Sequence, residues 1–132
     1  MKIQIRQTSP STSETVIRGH RVAIDRPTEK GGADAGPMGG ELFLTSIGGC
    51  FMSNLLAAIR ARNAEVSDVQ TEVTATVAEA PPRFTGIELL VTGECKDPEL
   101  FEKLVTIAER ACIMVNTLQG KLDLKVRIGA RI

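Results

Sequence analysis

The chain opens on an alternation of apolar and polar positions. From Lys2 to Gln7, Ile3 and Ile5 face one way and Gln4 and Arg6 the other, which is the period-two pattern of a strand. Ser9-Pro10-Ser11-Thr12-Ser13 has the composition of a turn. Thr15-Val16-Ile17 and Arg21-Val22-Ala23-Ile24-Asp25 flank Gly19 and predict two short strands paired as a hairpin, so the N-terminal part is a meander. Thr28 to Gly40 holds five glycines and one proline and predicts a loop.

Glu41 to Asn63 predicts a helix. Leu42, Phe43, Leu44, Ile47, Phe51, Met52, Leu55, Leu56 and Ile59 cover more than one stripe of it, as in a helix buried on most sides. Its charges lie at the ends, Glu41 first and Arg60 and Arg62 last, with signs that suit the helix dipole. Gly48 and Gly49 each cost about 1 kcal/mol against alanine mid-helix. The pair predicts a close backbone approach, taken as a crossing by a second helix. Val69 to Glu79 alternates again, with Val69, Thr71, Val73, Ala75 and Val77 on one face. Ala80-Pro81-Pro82-Arg83 interrupts, and Phe84 to Cys95 gives a further strand with Ile87, Leu89 and Val91 on one face. Asp97-Pro98-Glu99 is a helix start, with Asp as N-cap and Pro in the first turn. Leu100, Leu104, Ile107, Ala108 and Ala111 then recur at helical spacing, and Lys121 to Arg127 alternates with Leu122, Leu124, Val126 and Ile128 inward. The predicted order is β-β-β-α-β-β-α-β, an α+β fold with two buried central helices.

Composition narrows the possibilities. The 132 residues suit a single domain over 1–132, and 42% hydrophobic residues exclude a disordered polar chain. Sixteen basic residues balance sixteen acidic ones, and four Phe are the only aromatics. Neither a phosphate-neutralising excess nor a stacking platform is present, so no nucleic-acid partner is expected. No segment reaches the roughly 20 apolar residues needed to span a bilayer, and Met1 to Thr8 lacks a signal-peptide pattern. The expectation is a cytoplasmic protein with no membrane partner. A domain of this size buries only about two-thirds of its unfolded surface, so oligomerisation could complete the core.

The candidate chemistry lies in the cysteines. The glycine loop is not followed by a phosphate-binding G-x-x-x-x-G-K-[ST] motif. Cys50, Cys95 and Cys112 are too few and too odd for a disulfide framework, and none has a C-x-x-C partner. The sole histidine, His20, is far from all three in sequence, so no metal is expected. Free cysteine is among the most buried residue types, and each one alone reads as packing. Thiol redox chemistry needs one reactive thiolate, a cation to favour it and a second thiol to resolve the oxidised form. Cys50 and Cys112 sit on the two apolar helices, Arg18 and Arg21 are candidate cations, and Cys95 is the bystander.

Asp25-Arg26-Pro27, Gly31-Gly32-Ala33-Asp34-Ala35-Gly36-Pro37 and Glu41-Leu42-Phe43-Leu44-Thr45-Ser46-Ile47-Gly48-Gly49-Cys50 resemble the OsmC/Ohr superfamily, most of all its OsmC-like subgroup. So does Ala111-Cys112-Ile113-Met114-Val115-Asn116-Thr117-Leu118. The resemblance covers essentially the whole chain. It implies an intertwined homodimer with two active sites at the subunit interface. It implies reduction of organic hydroperoxides, with Cys50 peroxidatic, Cys112 resolving, and Arg18 or Arg21 on the thiolate. The family glutamate that holds the arginine falls at Gly40, and Glu41 follows it. Where other members carry proline after the second cysteine, this chain has Ile113. The resemblance implies no bound cofactor and an external dithiol of lipoyl type as reductant.

The leading expectation is therefore a thiol peroxidase of oxidative-stress defence, acting through a Cys50 sulfenic acid and a Cys50–Cys112 disulfide. Phe43, Phe51, Met52 and Ile113 would favour an alkyl or fatty-acid hydroperoxide. The rival expectation is a non-catalytic dimeric module that holds a small apolar ligand between the same helices.

Overall fold

The computed structural model describes residues 1–130. The chain divides into two compact units, Met1–Phe43 and Leu44–Ile132.

In the first unit, β1 (Ile5–Gln7), β2 (Ser13–Ile17) and β3 (His20–Ile24) form an antiparallel sheet in that order. This is the expected meander, with β1 shorter than the alternation suggested. Ile17 pairs with His20 across a two-residue turn in which Arg18 and Gly19 both take positive φ, 51° and 84°. Such turns match the twist of the flanking strands.

The glycine-rich segment after β3 has a fixed form. A single 3₁₀ turn, Thr28–Lys30, closes on Gly31 at φ 87°. A Cβ on Gly32 would run into the Arg26 carbonyl, and one on Gly36 into the Ala23 carbonyl. The organiser is Asp25, only 3% exposed. Its carboxylate accepts from Thr12 Oγ1 at 3.0 Å, from the Arg26 amide at 2.7 Å, and from the amides of Ala33 and Ala35 at 3.2 Å each. Burial pushes its pKa up, but the hydrogen bonds from Arg26, Ala35, Thr12 and Ser11 outweigh burial and hold it at about 2, below the ordinary 3.8.

Helix α1 (Gly39–Ala61) starts two residues earlier than the sequence suggested. Glu41 Oε1 accepts the Met38 N–H at 2.9 Å and so caps the first turn.

In the second unit, β4 (Val66–Glu79) and β5 (Pro82–Cys95) form a long antiparallel hairpin, and β6 (Asp123–Ile128) joins β5 in parallel. Register places Val73 opposite Leu89, and Leu89 beside Val126. Those positions share one face. The core there consists of Ile87, Leu89 and Val91 of β5, Leu124 of β6, and the buried stripe Ile47, Phe51, Leu55, Ala58 and Ile59 of α1. Helix α2 (Pro98–Ala111) adds Phe101, Leu104, Val105 and Ala108. Its N-cap is as expected: Asp97 Oδ1 accepts the Leu100 amide at 3.1 Å, with Pro98 in the first turn.

Four expectations are corrected. The close approach at Gly48 is to the sheet, not to a helix: a Cβ there would lie 2.7 Å from Val73 Cγ2, whereas one on Gly49 would meet nothing within 4 Å. Val77 does not share the inner face of β4. The β4–β5 register shifts between Thr76 and Val77, which turns Val77 outward, 58% exposed. The second helix is two helices, because Cys112 takes extended backbone (φ −78°, ψ 113°) between α2 and α3 (Ile113–Leu118). The break frees the Arg110 carbonyl, which Asn116 Nδ2 satisfies at 3.0 Å. Finally, α1 is long and apolar enough to cross a membrane by length and composition, with mean hydropathy 1.7 in its most apolar stretch. In this fold its buried stripe lies in the core of the second unit.

Candidate active site

The two helical cysteines come together in the second unit. Cys50 is on α1, two residues after the close approach of Gly48 to β4, and is half-buried. Cys112 sits at the α2–α3 break and is fully buried, at 0% exposure. Cys50 lies near enough to Cys112 to act on its ionisation. Burial pushes the Cys112 pKa above the ordinary thiol value, and the hydrogen bond to Cys50 and negative charge on Cys50 push it the same way. The backbone N–H groups of Val115 and Met114 oppose this, without reversing it. Cys112 therefore holds its proton while the more accessible sulfur beside it is free to react. All three cysteines are free thiols.

Asn54, one turn along α1 from Cys50, was missed. Its Nδ2 donates to the Cys50 carbonyl at 2.9 Å and lies 3.9 Å from Cys50 Sγ. The signal was available as an i, i+4 pair on a helix. Cys95 is elsewhere in its bonding: its thiol donates to the Asp97 carbonyl at 3.2 Å. It lines a cavity of about 620 Å³ with Val66, Gly93 and Lys96 that includes neither Cys50 nor Cys112.

The other expected site residues are placed as follows. Phe51 is fully buried in the core, Met52 is half-buried, and Ile113 is 68% exposed at the start of α3. In the first unit, Phe43 is half-buried and Glu41 caps α1. Arg21 Nη1 is 2.6 Å from Glu14 Oε1, and Arg6 meets the same oxygen at 3.4 Å. Arg18, at the tip of the β2–β3 hairpin, is exposed and has no ion-pair partner among the described residues. No group of three or more His, Cys, Asp or Glu among the described residues is placed to hold a metal.

The β-β-β-α-β-β-α-α-β order of elements has counterparts. The OsmC-like protein family matches residues 31–127. The chain belongs to that family. An OsmC-like protein from Mycoplasma pneumoniae superposes with a TM-score of 0.82 at 16% identity, over 97% of this chain and 94% of that one. An organic hydroperoxide resistance protein OsmC from Legionella pneumophila gives 0.74 at 19% identity, over 98% of both chains. The organic hydroperoxide resistance protein OhrB of Bacillus subtilis gives 0.68 at 21% identity, over 97% and 96%. No curated protein matches significantly. At these identities the likeness establishes the OsmC fold for this chain.

Proposed function

We propose that this OsmC-like protein is a thiol peroxidase that reduces organic hydroperoxides. The observation that carries the reading is the nearness of a half-buried thiol on α1 to a fully buried one at the α2–α3 break. Family membership and two solved relatives named as organic hydroperoxide resistance proteins support it.

The Cys50 thiolate attacks the distal peroxide oxygen. The O–O bond breaks, the peroxide is reduced to an alkoxide that takes a proton to leave as the alcohol, and Cys50 becomes a sulfenic acid. The Cys112 sulfur then displaces hydroxide from that sulfenic acid. Its proton leaves with the hydroxide as water, and a Cys50–Cys112 disulfide remains. An external dithiol of lipoyl type returns both thiols by exchange and leaves as its own disulfide. The accessibility of the two sulfurs supports this division of labour: peroxide reaches Cys50, while a buried, protonated Cys112 waits for the oxidised neighbour.

Of the two candidate cations, Arg18 is the better in this reading. Glu14 occupies Arg21, whereas Arg18 is exposed at a hairpin tip without an ion-pair partner among the described residues. A second copy of the chain is the proposed partner. In α1, only 28% of the most apolar stretch is buried within the chain, Leu56 is 42% exposed, and Gly49 faces open space. A homodimer would cover that surface, and apolar side chains not buried within the chain, among them Met52 and Ile113, favour an alkyl or fatty-acid hydroperoxide.

The test is peroxide consumption with a lipoyl dithiol as reductant. Cys50→Ser is expected to abolish turnover. Cys112→Ser is expected to stop after one peroxide, with a sulfenic acid on Cys50 that dimedone traps. Full turnover by Cys50→Ser overturns the proposal. No consumption by the native protein also overturns it and favours the ligand-binding module instead.

A further inference from the structure

Asparagine is a poor residue for the interior of a helix, because its amide competes for backbone groups and its helix propensity is well below that of alanine or leucine. Asn54 nevertheless lies in the middle of α1, half-buried, one turn beyond Cys50. A primary amide has two N–H donors. One is held on the Cys50 carbonyl at 2.9 Å, and this fixes the nitrogen 3.9 Å from Cys50 Sγ, at the long end of hydrogen-bond range for sulfur. Sulfur gains from such a donor chiefly when it is charged, since hydrogen bonds to charged groups are the stronger ones. The titratable group that faces Cys50 from the α2–α3 junction is Cys112, which offers no positive charge.

We propose that Asn54 is a positioning residue for the reactive sulfur: anchored on the Cys50 carbonyl, its side-chain amide turns its second N–H to Sγ and favours the thiolate. The inference rests on the thiol peroxidase reading for its place in a reaction, but the property it assigns, the ionisation of Cys50, is measurable without peroxide. The donor belongs to the same helix turn as the sulfur. The stabilisation therefore travels with Cys50 and is in place before substrate arrives.

The experiment is peptide-resolved iodoacetamide alkylation of Cys50 as a function of pH in the native protein, Asn54→Ala and Asn54→Asp. Alanine removes the donor and is a better helix former, so the variant is expected to keep its circular dichroism spectrum. Its Cys50 titration should move to higher pH, with alkylation at neutral pH about three- to tenfold slower. Aspartate keeps the shape but replaces the donor with a negative charge, and should move the titration further in the same direction. An unchanged Cys50 titration in either folded variant overturns the proposal, because a purely structural role for Asn54 would change melting temperature and leave thiol ionisation alone. Should the native protein reduce no hydroperoxide, the peroxidase reading fails while the Cys50 titration still decides the role of Asn54.

Discussion

Gly48 marks a close approach of α1 to Val73 of β4, two residues before the reactive sulfur. Replacing it with alanine sets two terms against each other. Alanine gains about 1 kcal/mol in helix propensity. Its Cβ would lie 2.7 Å from Val73 Cγ2. Ordinary carbon–carbon contact is at about 3.5–4.0 Å, so helix and strand must part by about 1 Å. Overpacking of this kind costs about 1–3 kcal/mol, so the expected net loss is about 0–2 kcal/mol. The sign is thus decided by Val73, a β-branched side chain with little rotamer freedom. Val73→Ala should relieve the clash. In a double-mutant cycle, Gly48→Ala and Val73→Ala should couple favourably by about 1–3 kcal/mol, well above the roughly 0.5 kcal/mol of independent sites. Urea unfolding at one fixed protein concentration measures this. The same displacement should carry Cys50 away from Cys112, so Gly48→Ala should also form the disulfide more slowly after peroxide addition, and the double variant should recover. A coupling energy near zero would refute the packing argument. A restored stability without a restored disulfide rate would refute its link to the site.

Two further perturbations separate the remaining parts. Arg18→Ala should slow the reaction of Cys50 with cumene hydroperoxide by about tenfold or more, while Arg21→Ala should cost at most a fewfold; stopped-flow peroxide consumption distinguishes them, and equal losses would contradict the choice of Arg18. Asp25 has its folded pKa held at about 2, below the ordinary 3.8. Its contribution to stability is therefore complete above about pH 4 and is lost as pH falls through about 2. Amide exchange of Ala33 and Ala35 should speed up over that interval. In Asp25→Asn the fast exchange should already be present at neutral pH and should respond less to acid, and identical acid responses would contradict the assignment.

Sequence periodicity carried most of the strands and the extent of α1, because one face of each is buried and hydrophobic spacing records burial directly. Ile87, Leu89 and Val91 are 3%, 0% and 0% exposed, as the alternation required. The pattern failed where a single residue changed the count. Val77 continues the alternation in sequence but follows a register shift that depends on pairing with β5. Cys112 continues the helical spacing, but its extended backbone splits the helix, and the Asn116 side chain that satisfies the freed Arg110 carbonyl is six residues away. Gly48 announced a close approach, yet nothing local states whether the neighbour is a helix or Val73 of a strand. The glycine segment looked structureless because its order comes from one buried carboxylate, Asp25, gathering donors up to thirteen positions away. At the site, the cysteines were legible through the two motifs around them. Their unequal exposure was not, since it depends on where α1 and the α2–α3 break lie in the folded unit. Asn54 was legible in principle from its spacing to Cys50, but an i, i+4 pair acquires meaning only when the turn is known to carry the reactive sulfur.

The central claim is that Cys50 and Cys112 form a working redox pair. Intact mass of the reduced protein, before and after one equivalent of cumene hydroperoxide, tests it most directly, with tryptic mapping of the product. The expected result is rapid loss of two hydrogens with Cys50 linked to Cys112 and Cys95 still alkylatable. An unchanged mass, or slow oxidation spread over all three cysteines, would contradict it.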